Sequence, residues 1–283
     1  MSQQTRNQQP TAGQQPHAAQ SPVDGASPAG DRPGPPRRVM IILGVIAALL
    51  VAGTIVAVVI DRLGSGSAAG PGFDGGDGAP AWTVQEPLGG RTVARLEVLD
   101  GATEIRVLAA DLGDQLLRAR TPPQGAVAPQ VTVRDDSVQV GLAETGNGGT
   151  GVLDIELHRD VRWSVRILGG ATEQRIDLTG TRISEVELAG GVSTLDIVLP
   201  EPDGTVGIRM SGGAGTWRVE APAQVPVRVR AGSGAGSISV DGERRDGVAA
   251  GETVSTPSWE ETTDRYDIDA AAGFSDLTVT RVD

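Results

Sequence analysis

From Ala81 onward, apolar residues occupy every second position in short runs. Leu96 and Val98, Ile105 and Val107, Val131 and Val133, and Val138, Val140 and Leu142 come first. Leu153, Ile155 and Leu157 follow, then Trp163, Val165 and Ile167, then Ile176 and Leu178. The pattern continues through Leu195, Ile197 and Leu199, Val206, Ile208 and Met210, and Val225, Val227 and Val229, and closes at Leu277 and Val279. A period of two sends alternate side chains to opposite faces of an extended chain, so each run predicts a half-buried strand. No stretch beyond residue 60 sustains a helical period, and residues 81–283 are expected to be all-β.

Glycine punctuates these runs. Gly169-Gly170, Gly190-Gly191, Gly212-Gly213 and the segment Gly232 to Gly236 recur at intervals of 20 to 22 residues, each after an apolar strand end and before the next strand. LDGATEIRV (99–107) echoes the unit upstream and AGFSDLTV (272–279) closes the series. One unit of this size cannot bury its own apolar face, so self-similar units stack and share a continuous core. A sharp corner needs either positive φ or close backbone approach, and glycine tolerates both. The expected architecture is a β-solenoid-like stack of short strands with Gly-rich corners; a layered β-sandwich is the alternative.

The first 80 residues read differently. Residues 39–60, VMIILGVIAALLVAGTIVAVVI, contain no charge. At about 1.5 Å per residue they are long enough to cross a hydrocarbon core of roughly 30 Å. A transmembrane helix is expected there, longer than the apolar part of a cleaved leader. Arg32, Arg37 and Arg38 precede it, whereas Arg62 beside Asp61 follows, which places the N-terminus in the cytoplasm and the β-domain outside. Residues 1–38 have seven Gln, seven Pro and one branched aliphatic, Val23, the composition of a disordered tail. Residues 61–80 hold seven glycines and read as a flexible linker. Gly44, Ala48 and Ala52 recur every four residues, a spacing that would let two helices pair as a homodimer. The ordinary abundance of Ala and Gly in such helices accounts for it as simply.

Composition narrows the chemistry. With 40 glycines and only 2% aromatic residues, the core must be built from Val, Leu, Ile and Ala. Cysteine is absent, which excludes disulfides and thiolate chemistry. All 24 basic residues are arginine, the signature of GC-rich, actinobacterial coding. Residues 61–283 carry 20 arginines against 34 acids, a net of −14, which argues against a nucleic-acid partner.

Candidate reactive groups are few. Gly146 to Gly151, GNGGTG, matches a dinucleotide-binding pattern, but an alternating strand follows it and no helix N-terminus would meet the phosphate; it reads as a hairpin loop. His158 falls by parity on an exposed strand face near Asp160, with Asp154 and Glu156 on the same face. Across a hairpin these acids would meet Arg162 and Arg166. The corners GGAGTW and GSGAGS lack the carboxylate of calcium-binding turns, and Asp74 and Asp77 read as solvated linker charges. Asp267 and Asp269 in RYDIDA share a strand face and are the one carboxylate pair suited to sugar hydrolysis. Trp82, Trp163, Trp217 and Trp259 would either line a sugar platform or fill the core. No catalytic, cofactor-binding or metal-binding residue is assigned, and the chain is read as a non-enzyme. The alternative is a carbohydrate-active β-helix enzyme.

The series GGATEQRIDL, GGVSTLDIVLPEPDGTVGIRMSGGAGTWRVEAPAQVPVRVRAGSGAGSISVDG resembles the bacterial LiaF-like toastrack and putative-adhesin β-repeat domains. In those, a glycine turn precedes a strand ending in Leu-Pro, a valine-arginine strand and a Gly-Ala-Gly turn. The resemblance implies an extracytoplasmic or membrane-associated β-domain of the cell envelope, in some members tied to sensing cell-wall stress and regulating a histidine kinase, without catalytic residues; with the single predicted span, the chain is expected to bind or sense an envelope polymer or a membrane-protein partner. The LiaF family itself carries several membrane spans before its β-domain, whereas one is predicted here.

Overall fold

The computed structural model describes residues 81–282. The predicted tail, transmembrane helix and linker, with Gly44, Ala48, Ala52, Asp74 and Asp77, lie outside the described residues. Among those described, no helix is long and apolar enough to cross a membrane.

The described chain forms β1 (Trp82–Pro87), β2 (Val93–Val98), β3 (Ala102–Ala110), β4 (Gln115–Thr121), β5 (Val127–Arg134), β6 (Ser137–Glu144) and β7 (Val152–His158). It continues with β8 (Arg162–Ile167), β9 (Ala171–Asp177), β10 (Arg182–Leu188), β11 (Val192–Val198), β12 (Thr205–Met210) and β13 (Ala214–Pro222). The last strands are β14 (Val227–Ala231), β15 (Ala235–Val240), β16 (Glu243–Val248), β17 (Glu252–Ser255), β18 (Arg265–Ala270) and β19 (Phe274–Val282). The all-β expectation is met, as two mixed sheets. One runs β1-β4-β7-β3-β9-β11-β13-β19-β15-β16, the other β17-β14-β18-β12-β10-β8-β2-β6-β5.

The period-two runs explain the packing. In β8, Trp163, Val165 and Ile167 point inward, and in β9, Ile176 does; residues of both sheets meet in one apolar cluster. Trp163, Trp217 and Tyr266 are the largest fully buried side chains. Burying each Val, Leu or Ile contributes about 1.5–3 kcal/mol before chain entropy is subtracted, so the many short strands are held by their shared core and not individually.

The chain crosses between sheets at each glycine corner. β8 and β9, β10 and β11, and β12 and β13 form three successive coils, one strand in each sheet, and like strands pair in parallel. At both ends the chain order is broken. The coil β2–β3 sits between β6–β7 and β8–β9, and the coil β18–β19 sits between β12–β13 and β14–β15. A stack in simple chain order is therefore corrected to an interleaved one. Antiparallel strands finish the sheets: β1, β4 and β5 at one end, β16 and β17 at the other. These edges carry Pro129 and Arg134 on β5 and Arg244, Arg245 and Asp246 on β16, residues that discourage further strand pairing. Asp241 and Gly242, both left-handed at φ of 52° and 85°, make the two-residue hairpin between β15 and β16.

The corners reveal why glycine is needed. Register aligns Asp100-Gly101, Gly169-Gly170, Gly190-Gly191, Gly212-Gly213, Ala272-Gly273 and Ser233-Gly234 in one column. Of these, only Gly213 and Gly234 adopt positive φ. At the others, Gly273 excepted, the reason is proximity: a methyl group on Gly101 would lie 2.7 Å from Gly170 O. On Gly169 or Gly190 it would overlap the backbone of Asp100 or Gly169 respectively. Hydrogen bonds continue through the column, with Ala102 N donating to Gly170 O at 3.1 Å and Ala171 N to Gly191 O at 3.0 Å. At Gly169, Gly190 and Gly212 the corners stack backbone on backbone, leaving no room for a side chain.

Candidate functional surface

The sequence-predicted chemistry is dispersed or tied up. His158 is buried, not exposed: it ends β7, and the β3–β4 turn meets its ring at Gly113. Asp160 N donates to His158 Nδ1 at 3.1 Å, and the ring contacts Gly113 O through Nε2 at 3.0 Å. This pattern suits the neutral tautomer with its proton on Nε2. Trp163 Nε1 donates to His158 O at 3.0 Å, so the ring and its carbonyl together fix a corner. His158→Ala should remove the ring's contacts with Gly113 O and Asp160 N and the burial of the ring itself, and lower the unfolding free energy by about 1–3 kcal/mol in urea titration.

The segment from Arg159 to Val161 is a crossover between sheets, not a hairpin, so the predicted pairing fails. Asp154 meets Arg106 at 3.4 Å, and Glu156 meets Arg118 at 2.8 Å, all in the first sheet. Arg162 pairs with Asp203 and Arg166 with Glu187, in the region of the second. The GNGGTG segment is likewise a crossover from β6 to β7 rather than a hairpin loop. Burial raises the Asp154 carboxyl above its usual range, offset in part by Arg106, which is held more tightly by Glu104 at 2.6 Å. A carboxyl raised in the folded state opposes folding while ionised, and that penalty is relieved as pH falls. Asp154→Asn should therefore gain stability at pH 7, the gain shrinking toward about pH 4 in pH-resolved thermal melts.

Asp267 and Asp269 do sit on one outward strand face, but arginines occupy both. Arg228 donates to Asp267 through Nε at 2.9 Å and Nη2 at 2.6 Å, a bidentate pair that raises the guanidinium pKa. Arg209 and Arg230 reach Asp269 at 2.8 and 3.4 Å. Arg228 and Arg265 also stack on the two sides of Trp259, 3.6 and 3.8 Å from its ring centre. Trp163, Trp217 and Trp259 are buried and only Trp82 is exposed, so no tryptophan platform forms.

Two outward sheet faces remain as surfaces for recognition. On the first sheet, Glu104, Arg106, Glu173, Arg175, Asp196 and Arg218 line an open concavity of about 720 Å3. Across the strands Arg106 stands beside Arg175, each held by the acid two residues before it, Glu104 and Glu173 at 2.6 Å. Asp196 then pairs with Arg218 at 2.9 Å. With Asp177 and Glu220 also on the lining, this gives a polar floor of donors and acceptors with more acids than arginines, suited to hydroxyl-rich groups. On the second sheet, Glu97, Arg166, Glu187, Arg209, Asp269 and Arg230 form one row of strictly alternating charge. Hydrogen bonds from Gln139 and Ser137 lower the Glu97 pKa and keep it ionised. Sequence reading missed both surfaces because each row is assembled from strands far apart in the chain. Among the described residues no cluster of three or more potential metal ligands occurs.

No family model matches the chain, and no curated protein does. Among solved structures, a putative cell adhesion protein from Clostridium sporogenes ATCC 15579 shares the fold at a TM-score of 0.50 and 15% identity, over 71% of this chain and 99% of that one. A putative adhesin from Bacteroides fragilis NCTC 9343 aligns over 72% of this chain and 97% of its own, at 10% identity and a TM-score of 0.23.

Proposed function

We propose that the chain is a non-enzymatic, membrane-anchored protein whose solenoid-like β-domain lies outside the cell and binds an envelope component. The observation that carries the reading is the state of the carboxylates. The one pair placed for acid–base work, Asp267 and Asp269, is committed to Arg228, Arg209 and Arg230, while the first sheet offers an open polar concavity around Arg106, Arg175 and Arg218. The adhesin-type fold supports the same reading, as does the resemblance to toastrack and putative-adhesin repeats. Residues 39–60 supply the anchor and residues 61–80 the reach from the membrane. A polyhydroxyl cell-wall polymer fits the concavity best, since its lining offers both arginine donors and carboxylate acceptors and carries more acids than arginines.

The test is co-sedimentation of the full-length chain, in mild detergent, with purified cell-wall polymer. Binding should weaken about tenfold or more when Arg175 and Arg218 are both changed to Ala. Unchanged binding would remove the concavity as the site. Polymer cleavage that disappears in Asp267→Ala would replace the proposal with a hydrolase.

A further inference from the structure

The outer face of the second sheet carries two in-register rows across β10, β12, β18 and β14. One row reads Glu187, Arg209, Asp269, Arg230; the other reads Glu185, Gly207, Asp267, Arg228. The first row is alternately negative and positive, so read backwards it becomes its own complement. The second does the same in outline: reversed, Arg228 falls opposite Glu185 and Asp267 falls opposite Gly207.

We infer that this face pairs with the same face of a second copy, about a two-fold axis that lies between β12 and β18 and runs parallel to the strands. An isologous contact of this kind places each residue opposite its counterpart twice. Glu187 meets the second copy's Arg230, Arg209 meets its Asp269 and Glu185 meets its Arg228. No like charges are opposed in either row.

Two features of the face fit such a contact. Gly207 lies in the middle of a central strand with ordinary φ, and no heavy atom lies within 4 Å of where its Cβ would stand. Neither turn geometry nor close packing within the chain demands a glycine there, and such glycines mark close approach by another molecule. Gly207 leaves a notch of about 260 Å3 flanked by Glu185 and Asp267, close to the two-fold axis in this arrangement. Glu185 accepts from Ser164 Oγ at 2.7 Å, and no arginine pairs with it among the described residues. The two-fold contact supplies one.

The first sheet lacks this property. Its central row brings Arg106 beside Arg175, so reversal does not yield a complement. The two rows are charged and carry no apolar side chain, unlike the core of a standard stable interface. The pairing is accordingly weak, sensitive to salt, and dependent on local concentration. It stands apart from what the domain binds, since the concavity lies on the other sheet.

The chain has no cysteine, so one introduced thiol reports on one contact. Full-length chains carrying Gly207→Cys should form a cross-linked dimer in cells with a thiol reagent of about 10 Å span, the separation of two sheets packed face to face. Thr216→Cys on the first sheet should not. Adding Glu187→Arg, or Arg230→Glu, should each lower the yield about tenfold, because each opposes like charges twice. Co-expressing the two variants should restore the dimer, since each reversal then faces the other. Protease resistance of the single variants checks that they fold, and Glu187→Gln with Arg230→Gln gives the milder loss expected without sign reversal. Absence of the Gly207→Cys dimer, insensitivity to both reversals, or failure of the mixture to recover would overturn the inference.

Discussion

Gly190→Ala should destabilise the β-domain by about 3 kcal/mol or more, read as a shift in the urea midpoint at constant slope. The added methyl would overlap the carbonyl of Gly169, a backbone atom that cannot rotate away, and separating the two means parting adjacent corners. The hydrogen bond from Ala189 N to Ile167 O at 2.8 Å lies in the same column and would be strained by that separation. Gly180→Ala is the informative contrast. Gly180 has a φ of 75° but nothing within 4 Å of its would-be Cβ, so the substitution meets only the left-handed penalty, about 1 kcal/mol. If both changes cost the same, conformational freedom rather than contact would be the reason for glycine at the corners.

The second large effect concerns tryptophan. Trp163→Ala should cost about 3–5 kcal/mol, because the ring is fully buried and its Nε1 donates to His158 O at 3.0 Å, joining the core to the β7–β8 crossover. Trp82→Ala, on an exposed edge, should stay within about 0.5 kcal/mol. Thermal melts of the two variants separate a core role from a binding platform: a platform residue would show little stability loss and a binding defect. A loss at Trp82 comparable to that at Trp163 would contradict the placement of β1 at the sheet edge.

The strand faces were legible because parity survives folding. Leu153, Ile155 and Leu157 point inward as their spacing requires, and so do Trp163, Val165 and Ile167. Parity does not show what covers a strand end, and His158 is the instructive case: it ends β7, and its ring is met by the β3–β4 turn at Gly113. The corners were legible as glycine pairs, but their cause was not, since sequence cannot separate positive φ from backbone contact.

The interleaving was hidden for a related reason. Apart from β6–β7, every coil presents similar apolar strands and the same three-residue corner, so β18–β19 fits against β12–β13 as well as β14–β15 would. One signal does follow the topology. The strict Gly-Gly corners belong to the three coils that run in chain order, whereas Asp100-Gly101 and Ala272-Gly273 belong to the two inserted coils. The outer charge rows were hidden too, because Glu187, Arg209, Asp269 and Arg230 become neighbours only once β18 enters between β12 and β14.

Each recognition surface thus depends on an inserted coil, β2–β3 for the concavity and β18–β19 for the charge rows, and the cysteine-free chain allows the second insertion to be tested directly. Thr216 of β13 is in register with Asp276 of β19, and Asp276 in turn with Ser237 of β15, whose Oγ donates to it at 2.7 Å. Adjacent strands lie about 4.8 Å apart and next-nearest ones about 9.6 Å, while a disulfide needs Cα atoms within about 7 Å. Oxidation of double-cysteine variants should join 216 to 276 and 237 to 276 but leave 216 and 237 as free thiols. A disulfide between 216 and 237, with none to 276, would mean that the coils stack in chain order and would contradict the interleaved fold.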